Sequence, residues 1–419
     1  MAQAEISAKR FHKRRRIGIG AFVLVIAMAI AYLGNLAAQQ YSTFVLTSQR
    51  SGVTIWAPDL VIRADITLYV FATLAVAMAF WQFWRGFTSG NALIIFTAAL
   101  AVMAFLIWAT IGKTLNLTGM LVSSVVRATP IALAALAGIY SERSGVVNIG
   151  IEGMMLMGSF ISVVFASLTK NMLVGVVAGM LSGLVLGLLH GILSIRYMVN
   201  QIVSGTGIII LALGLTSYLQ RAVLNINPEL NQPGPAISAV AMPGLSRIPV
   251  IGPVFFNQSP IIYFMILLII ATQILLYFTR WGLRVRAVGE HPRAADTLGI
   301  NVFTIRYISV LMSGAIGGLA GAYMSIGSAG RFNEGMSAGK GFLGLAAMIF
   351  GNWNPGGAFL GSLIFGFFDS WQEKLAILQV GIPVDLLGMA PYIATMIVLA
   401  GFIGRARMPA ADGTPYEKQ

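Results

Sequence analysis

Ten apolar runs, each close to twenty residues, recur along this chain and restrict its fold more than any motif does. Each is long enough to cross a ~30 Å hydrocarbon core as a helix. The composition agrees, with 57% of residues hydrophobic, only 10% charged and a mean hydropathy of +0.83. A soluble domain of 419 residues needs far more charge to cover its surface. The chain therefore reads as one membrane domain without a soluble catalytic domain.

The net charge of +13 invites a nucleic-acid partner, and its distribution rejects one. Lys9, Arg10, Lys13, Arg14, Arg15 and Arg16 precede the first run. Arg280, Arg284, Arg286, Arg293 and Arg306 lie in or beside one interior loop, and Arg405 and Arg407 follow the last run. Basic clusters at span ends follow the positive-inside rule. Cysteine is absent, which removes disulfides and thiolate metal sites. The first run, 17–38, is too long for a signal-peptide core and reads as an anchor.

Spans fall near 17–38, 66–84, 91–111, 121–139, 153–169, 172–194, 202–219, 260–279, 305–327 and 384–403. Two shorter apolar pieces, 342–351 and 357–370, flank Asn352-Trp353-Asn354-Pro355-Gly356. They are either short spans or the halves of a re-entrant hairpin, whose bend must be covered by protein or water. The predicted fold is all-α, a polytopic membrane protein with about 10–12 transmembrane helices. Counting both short pieces places the two termini and the 280–304 loop in the cytoplasm, where the basic clusters belong. Segment 221–259, rich in Pro, Gly and Asn, then faces the periplasm, as a lid or docking surface or as an ordered connector.

Within 172–194, Gly175, Gly179, Gly183, Gly187 and Gly191 recur every four residues and lay a small-residue groove along one helix. Gly314, Gly318 and Gly321, then Gly357 and Gly361, repeat the theme. Such ladders are packing features first, and they name no ligand.

Two stretches carry more chemistry. SERSGVVNIGIEGMM, residues 141–155, sets Glu142, Arg143, Asn148 and Glu152 between two apolar runs, with Gly145, Gly150 and Gly153 loosening the backbone. Ionisable groups near membrane depth face a cavity or a partner, and broken helices recur in transport pathways. The bland alternative is a cytoplasmic turn in which Glu142 and Arg143 pair. Arg127, ahead of Thr129-Pro130, also sits inside a span, which makes Arg127, Asn148 and Glu152 pathway candidates. His190, on the glycine-rich helix, reads as structural. The second stretch, 280–307, holds Glu290, Pro292 and Gly299. Proline suits a first helical turn, Glu290 favours the positive end and Gly299 stops the helix. A short cytoplasmic helix is expected, carrying Arg293 and Asp296, with small Ala294 and Ala295 allowing close approach.

Here the chain resembles a known family. Ala294-Ala295-x-x-x-Gly299 matches the Glu-Ala-Ala-x-x-x-Gly loop through which importer permeases touch their ATPase, with Arg293 in place of the glutamate. The wider pattern from Gly282 through Ala287-Val288-Gly289-Glu290 to Leu298-Gly299-Ile300 is similar to the branched-chain amino acid, ribose and nucleoside branch of ATP-binding-cassette (ABC) permeases. SGVVNIGIEGMMLMGSF resembles permeases for nucleosides or simple sugars that work with basic-membrane-protein-type lipoproteins. The resemblance covers roughly 120–405. It implies a coupling helix with Gly289, Glu290, Pro292, Arg293, Ala294, Ala295, Asp296 and Gly299 at the ATPase contact. It also implies a second permease subunit, a cytoplasmic ATPase and an external solute-binding protein, in a bacterial inner membrane. Residues 1–115 are then a basic tail with accessory spans, 116–405 the permease core and 406–419 a cytoplasmic tail.

ATP chemistry belongs to the partner on this reading, with no cofactor or metal held by the permease and no enzyme activity of its own. Gly112-Lys113-Thr114 mimics the end of a phosphate-binding loop, but Ile107 stands where that loop needs glycine, and a span precedes it. A branched-chain amino acid permease and an ion-coupled transporter are the competing readings. The latter would place several carboxylates along one pathway, whereas the acids here are few and lie near span ends.

Overall fold

The computed structural model describes residues 2–37, 39–50, 52–235, 237–389, 392–393 and 407–418. Its helices are α1 (Ala2–Leu36), α2 (Ala64–Trp84), α3 (Gly90–Ala109), α4 (Leu117–Glu142), α5 (Ile151–Thr169), α6 (Met172–Gly191) and α7 (Gln201–Leu219). They continue with α8 (Ile251–Phe255), α9 (Pro260–Phe278), α10 (Arg280–Glu290), α11 (Pro292–Thr297), α12 (Val302–Ala322), α13 (Lys340–Phe350), α14 (Pro355–Ile377) and α15 (Val384–Gly388). Among the described residues nine helices are long and apolar enough to cross a membrane, and they coincide with nine of the spans read from hydropathy. The span expected at 384–403 lies mostly outside the described residues.

Contacts divide the chain into two compact units, Met1–Gln49 with Thr54–Met120 and Trp371–Phe402, and Arg50–Val53 with Leu121–Ser370 and Ile403–Gln419. In the first, α1 to α3 pack through Val23, Ala27, Ala75, Ala79 and Leu93. Arg16 reaches the end of α2 and donates to the carbonyls of Gln82, at 2.8 Å, Phe83 and Trp84. These are carbonyls that a helix end leaves without partners of its own. Hydropathy gives no hint of a small sheet here, in which Tyr41–Val45 pairs antiparallel with Leu60–Arg63 and parallel with Thr114–Asn116. Lys113, of the phosphate-loop mimic, donates to the carbonyls of Leu378 and Gln379 instead.

The second unit is organised by α4, α5, α6 and α12. Pro130 lies inside α4 and has no N–H for the carbonyl of Val126, four residues back. The Tyr323 hydroxyl donates to that carbonyl at 3.1 Å, so a side chain from another helix fills the gap. Tyr323 opens a π-helical turn, 323–329, in which Ser325 meets Ser162 of α5 at 2.9 Å. Along α6 and α12 backbones touch directly. A Cβ on Gly183 would run into the Gly314 carbonyl, and one on Gly187 would lie 3.0 Å from the carbonyl of Val310. Where Gly183 and Gly187 meet Gly314 and Gly318 there is no room for side chains.

The pieces 342–351 and 357–370 form α13 and the first part of α14. α13 has 11 residues, a length of roughly 16 Å, about half of a bilayer core. Asn354 begins α14 by accepting from Gly356 N at 3.0 Å and Gly357 N at 3.2 Å, with Pro355 between. Segment 221–259 contains the short α8, and Asn231 exchanges two hydrogen bonds with the Phe332 backbone at 3.1 and 2.7 Å.

Candidate functional site

The polar groups of 141–155 fold into a junction. α4 stops at Glu142 and α5 starts at Ile151, while Ser141 ties the turn by donating to the carbonyl of Val146 at 2.6 Å. Glu142 and Arg143 do not pair; both hold the bend between α13 and α14. Glu142 accepts from the Trp353 indole at 2.7 Å. Arg143 donates to the carbonyls of Trp353 at 3.1 Å and Asn352 at 3.3 Å, and to the Tyr277 hydroxyl at 3.0 Å. That bend needs holding, since Asn352 and Trp353 both adopt a left-handed backbone, with φ of 54° and 53°.

Asn148 is fully buried, and its amide donates to the Ser313 hydroxyl of α12 at 2.9 Å. Glu152, in the first turn of α5, accepts from Gly339 N at 2.8 Å and Gly341 N at 2.6 Å. A carboxylate thus sits on the positive end of the half-length α13, where free N–H groups favour negative charge. Arg127 lies elsewhere and pairs with Asp369 of α14 at 3.0 Å. The three pathway candidates therefore do not converge. Asn148 and Glu152 brace α12 and α13 against α5, and Arg127 joins α4 to α14. A cavity of about 270 Å³ lined by Leu121, Val125, Val254, Phe255, Leu363 and Phe367 is apolar, and none of the three borders it. His190 is buried between Ser204, at 3.0 Å, and the Val147 carbonyl, at 2.9 Å, and so steadies the same turn.

The 280–299 loop is two helices. α10 runs from Arg280 to Glu290 and α11 from Pro292 to Thr297, with His291 between. His291, which no local pattern marks out, caps α11 by accepting from Ala294 N at 3.1 Å. Glu290 closes α10 and turns to Ala410 N, 3.3 Å away. Gly299 ends the loop with φ of 80°. Gly289 passes so close to the Arg143 carbonyl that a Cβ would collide with it. The two alanines differ. Ala295 is 2% exposed and packs into the main core, whereas Ala294 is exposed. The face open to a partner consists of Arg293, Ala294, Thr297 and Leu298, the last 81% exposed. A short helix rooted by a buried alanine and offering an outward face can pass a push from outside into α12.

Residues 120–403 match the family model of the branched-chain amino acid transport system / permease component. The chain belongs to this family. The nucleoside ABC transporter permease protein NupC of Lactococcus lactis subsp. cremoris is 41% identical over 312 residues, 70% of this chain and 95% of that protein. The guanosine ABC transporter permease protein NupQ of Bacillus subtilis is 41% identical over 309 residues, 71% of this chain and 95% of that protein. The putative glucose ABC transporter permease protein TsgC13 of Haloferax volcanii is 32% identical over 261 residues, 61% of this chain and 77% of that protein. No solved structure matches the chain. It is a multi-pass membrane permease component, and both sequence stretches that carried the resemblance lie within the matched region.

Proposed function

We propose that this chain is the membrane-spanning subunit of an ATP-driven importer for nucleosides. The observation that carries this reading is the 41% identity to two permeases named for nucleosides and guanosine, each matched over 95% of its length. A cytoplasmic ATPase binds the outward face of α11 and supplies the ATP chemistry, so the permease holds no cofactor. A second permease subunit completes the pathway, and an external solute-binding protein delivers the cargo. The chain lies in the inner membrane with both termini in the cytoplasm, 116–405 forming the permease core and 1–115 an accessory extension. Sugar transport is the second reading, supported by the 32% identity to the putative glucose permease.

Uptake of labelled guanosine and glucose, with and without this chain, separates the two. The expected result is chain-dependent guanosine uptake that needs ATP and survives a collapsed proton gradient. Uptake that disappears with the proton gradient would favour an ion-coupled carrier, and glucose uptake alone would favour the sugar reading. On the same preparation, Ala294→Arg is expected to abolish co-purification of the ATPase while leaving the permease inserted.

A further inference from the structure

Residues 407–418 lie beyond the family match, yet they are tied to several parts of the site. Arg407 N donates to Asn352 Oδ1 at 2.8 Å, in the α13–α14 bend. Ala411 N donates to the Gly289 carbonyl at 2.9 Å, and Ala410 N to Glu290 Oε2 at 3.3 Å, both in the coupling loop. Arg306 of α12, 1% exposed, donates from Nη1 to the Thr414 carbonyl at 3.0 Å, and Asp412 supplies the nearby opposite charge. Tyr416 is buried against Phe303 with ring centroids 5.5 Å apart, and Lys418 Nζ lies 3.9 Å from Asp296 of α11.

The direct packing between the loop and α12 is apolar, through Val288, Ala295, Val302 and Ile305. Apolar contact is non-directional and resists sliding weakly. The tail adds directional bonds at two fixed points, one on the loop at Gly289 and one on α12 at Arg306. A passive covering would have no use for an arginine this deeply buried. Of its guanidinium nitrogens only Nη1 finds a hydrogen-bond acceptor among the described residues, the Thr414 carbonyl, so the tail supplies its one anchor.

We propose that residues 409–416 are a strap that carries movement of the coupling loop to α12 and the 142–148 turn, with Arg306 and Asp412 as its positioning residues. The strap rests on the reading of α11 as the ATPase contact. When the loop is pushed, Ala411 moves with Gly289, and Thr414 draws Arg306 and the cytoplasmic end of α12. Asn148, bonded to Ser313 on the same helix, follows.

The test uses the intact importer, the full chain with its ATPase, and measures membrane abundance, ATPase co-purification, ATP hydrolysis and uptake together. Ala411→Pro deletes the bond to Gly289 without altering charge, Asp412→Asn keeps shape, and a third variant lacks 409–418. The strap predicts near-parental abundance and co-purification for the two point variants. The ratio of solute imported to ATP hydrolysed should fall about ten-fold in Ala411→Pro, within the usual range of coupling energies. A purely stabilising tail would lower abundance, hydrolysis and uptake together and leave the ratio unchanged. That result, or parental behaviour of Ala411→Pro and the deletion alike, would overturn the strap while leaving the transport reading intact. A parental chain that retains no ATPase would instead remove the coupling reading and the strap with it.

Discussion

The α1–α3 bundle and the α4–α5–α12 core are both built of apolar helices, but they are held in different ways. α2 buries 28% of its membrane window and α5 buries 78%. The bundle packs apolar side chains on one side and leaves Phe80, Trp81 and Trp84 open on the other. In the core, backbones meet through glycine, and Ser, Asn, Glu and Tyr cross-link the helices. Lipid is as apolar as leucine, so burial of greasy surface cannot by itself hold helices together in a membrane. Close approach and hydrogen bonds have to do so, and they are concentrated where the candidate site is.

The sharpest way to break this contrast is to add the same side chain to each region. Gly183→Leu inserts volume against the Gly314 carbonyl, while a Cβ added at Gly18 on α1 has nothing within 4 Å, which makes Gly18→Leu the control. Overpacking costs about 1–3 kcal/mol, so Gly183→Leu should melt at a markedly lower temperature in detergent and lose uptake. Gly18→Leu should match the parent in both assays. Equal behaviour of the two would mean that the α6–α12 seam is not tight.

Glu152→Gln comes next. A neutral amide offers one acceptor oxygen to the two N–H groups of Gly339 and Gly341 and sets its own NH2 against the other. The loss should be about 1–3 kcal/mol, visible as lower thermal stability and reduced uptake at near-normal membrane levels. A variant that melts and transports normally would mean that α13 does not depend on this carboxylate.

Tyr323→Phe is a smaller change. It strands the Val126 carbonyl beneath Pro130, at a cost of about 1 kcal/mol. A melting temperature equal to the parent's would show that water or a neighbour replaces the hydroxyl.

The smallest effect concerns pH. Burial pushes the Asp412 carboxyl up to about 7, opposed by hydrogen bonds from Glu142 and the Gly413 backbone and by the charge of Arg306. A carboxyl raised in the docked tail stabilises docking below its free value, and that contribution is lost as pH rises through 7. Amide hydrogen exchange at Ala411, corrected for the intrinsic rate, should therefore show weaker protection at pH 8 than at pH 6, and Asp412→Asn should remove the difference. Flat protection in the parental chain would contradict the assigned direction.

Much of this architecture was legible in the sequence. Nine spans are plain because apolar runs of bilayer length have few other uses, and the boundaries of α11 follow from Pro292 and Gly299. The glycine period announces a close seam, though it does not say that α12 is the other wall. What was not legible depends on partners far away in sequence. Nothing near Glu290 reveals that it serves Ala410, and nothing near Ala295 reveals that it faces inward while Ala294 faces out. The helix expected from Pro292 is present, but neither the preceding α10 nor the cap from His291 was foreseen, because an imidazole cap carries no strong local signature. The grouping of Arg127, Asn148 and Glu152 as one pathway rested on depth and on a loosened backbone, and neither specifies which helix a side chain meets.

The distances along the chain between these partners bear on how the protein is made. Glu152 waits 187 residues for Gly339, Glu142 waits 211 for Trp353, and Arg127 waits 242 for Asp369. Arg127 lies near the middle of α4, where a single charged residue costs about 2.5–3.5 kcal/mol on biological insertion scales, whereas Glu142 and Glu152 sit at the ends of α4 and α5. α4 and α5 therefore leave the ribosome carrying groups whose counterparts have not yet been synthesised. Release of α4 into lipid becomes more favourable once α14 has followed and Asp369 can meet Arg127, which links integration of the earlier helix to translation of the later one. A nascent chain arrested near residue 300 should accordingly hold α4 beside the translocon and leave it more extractable by alkali than α1 to α3.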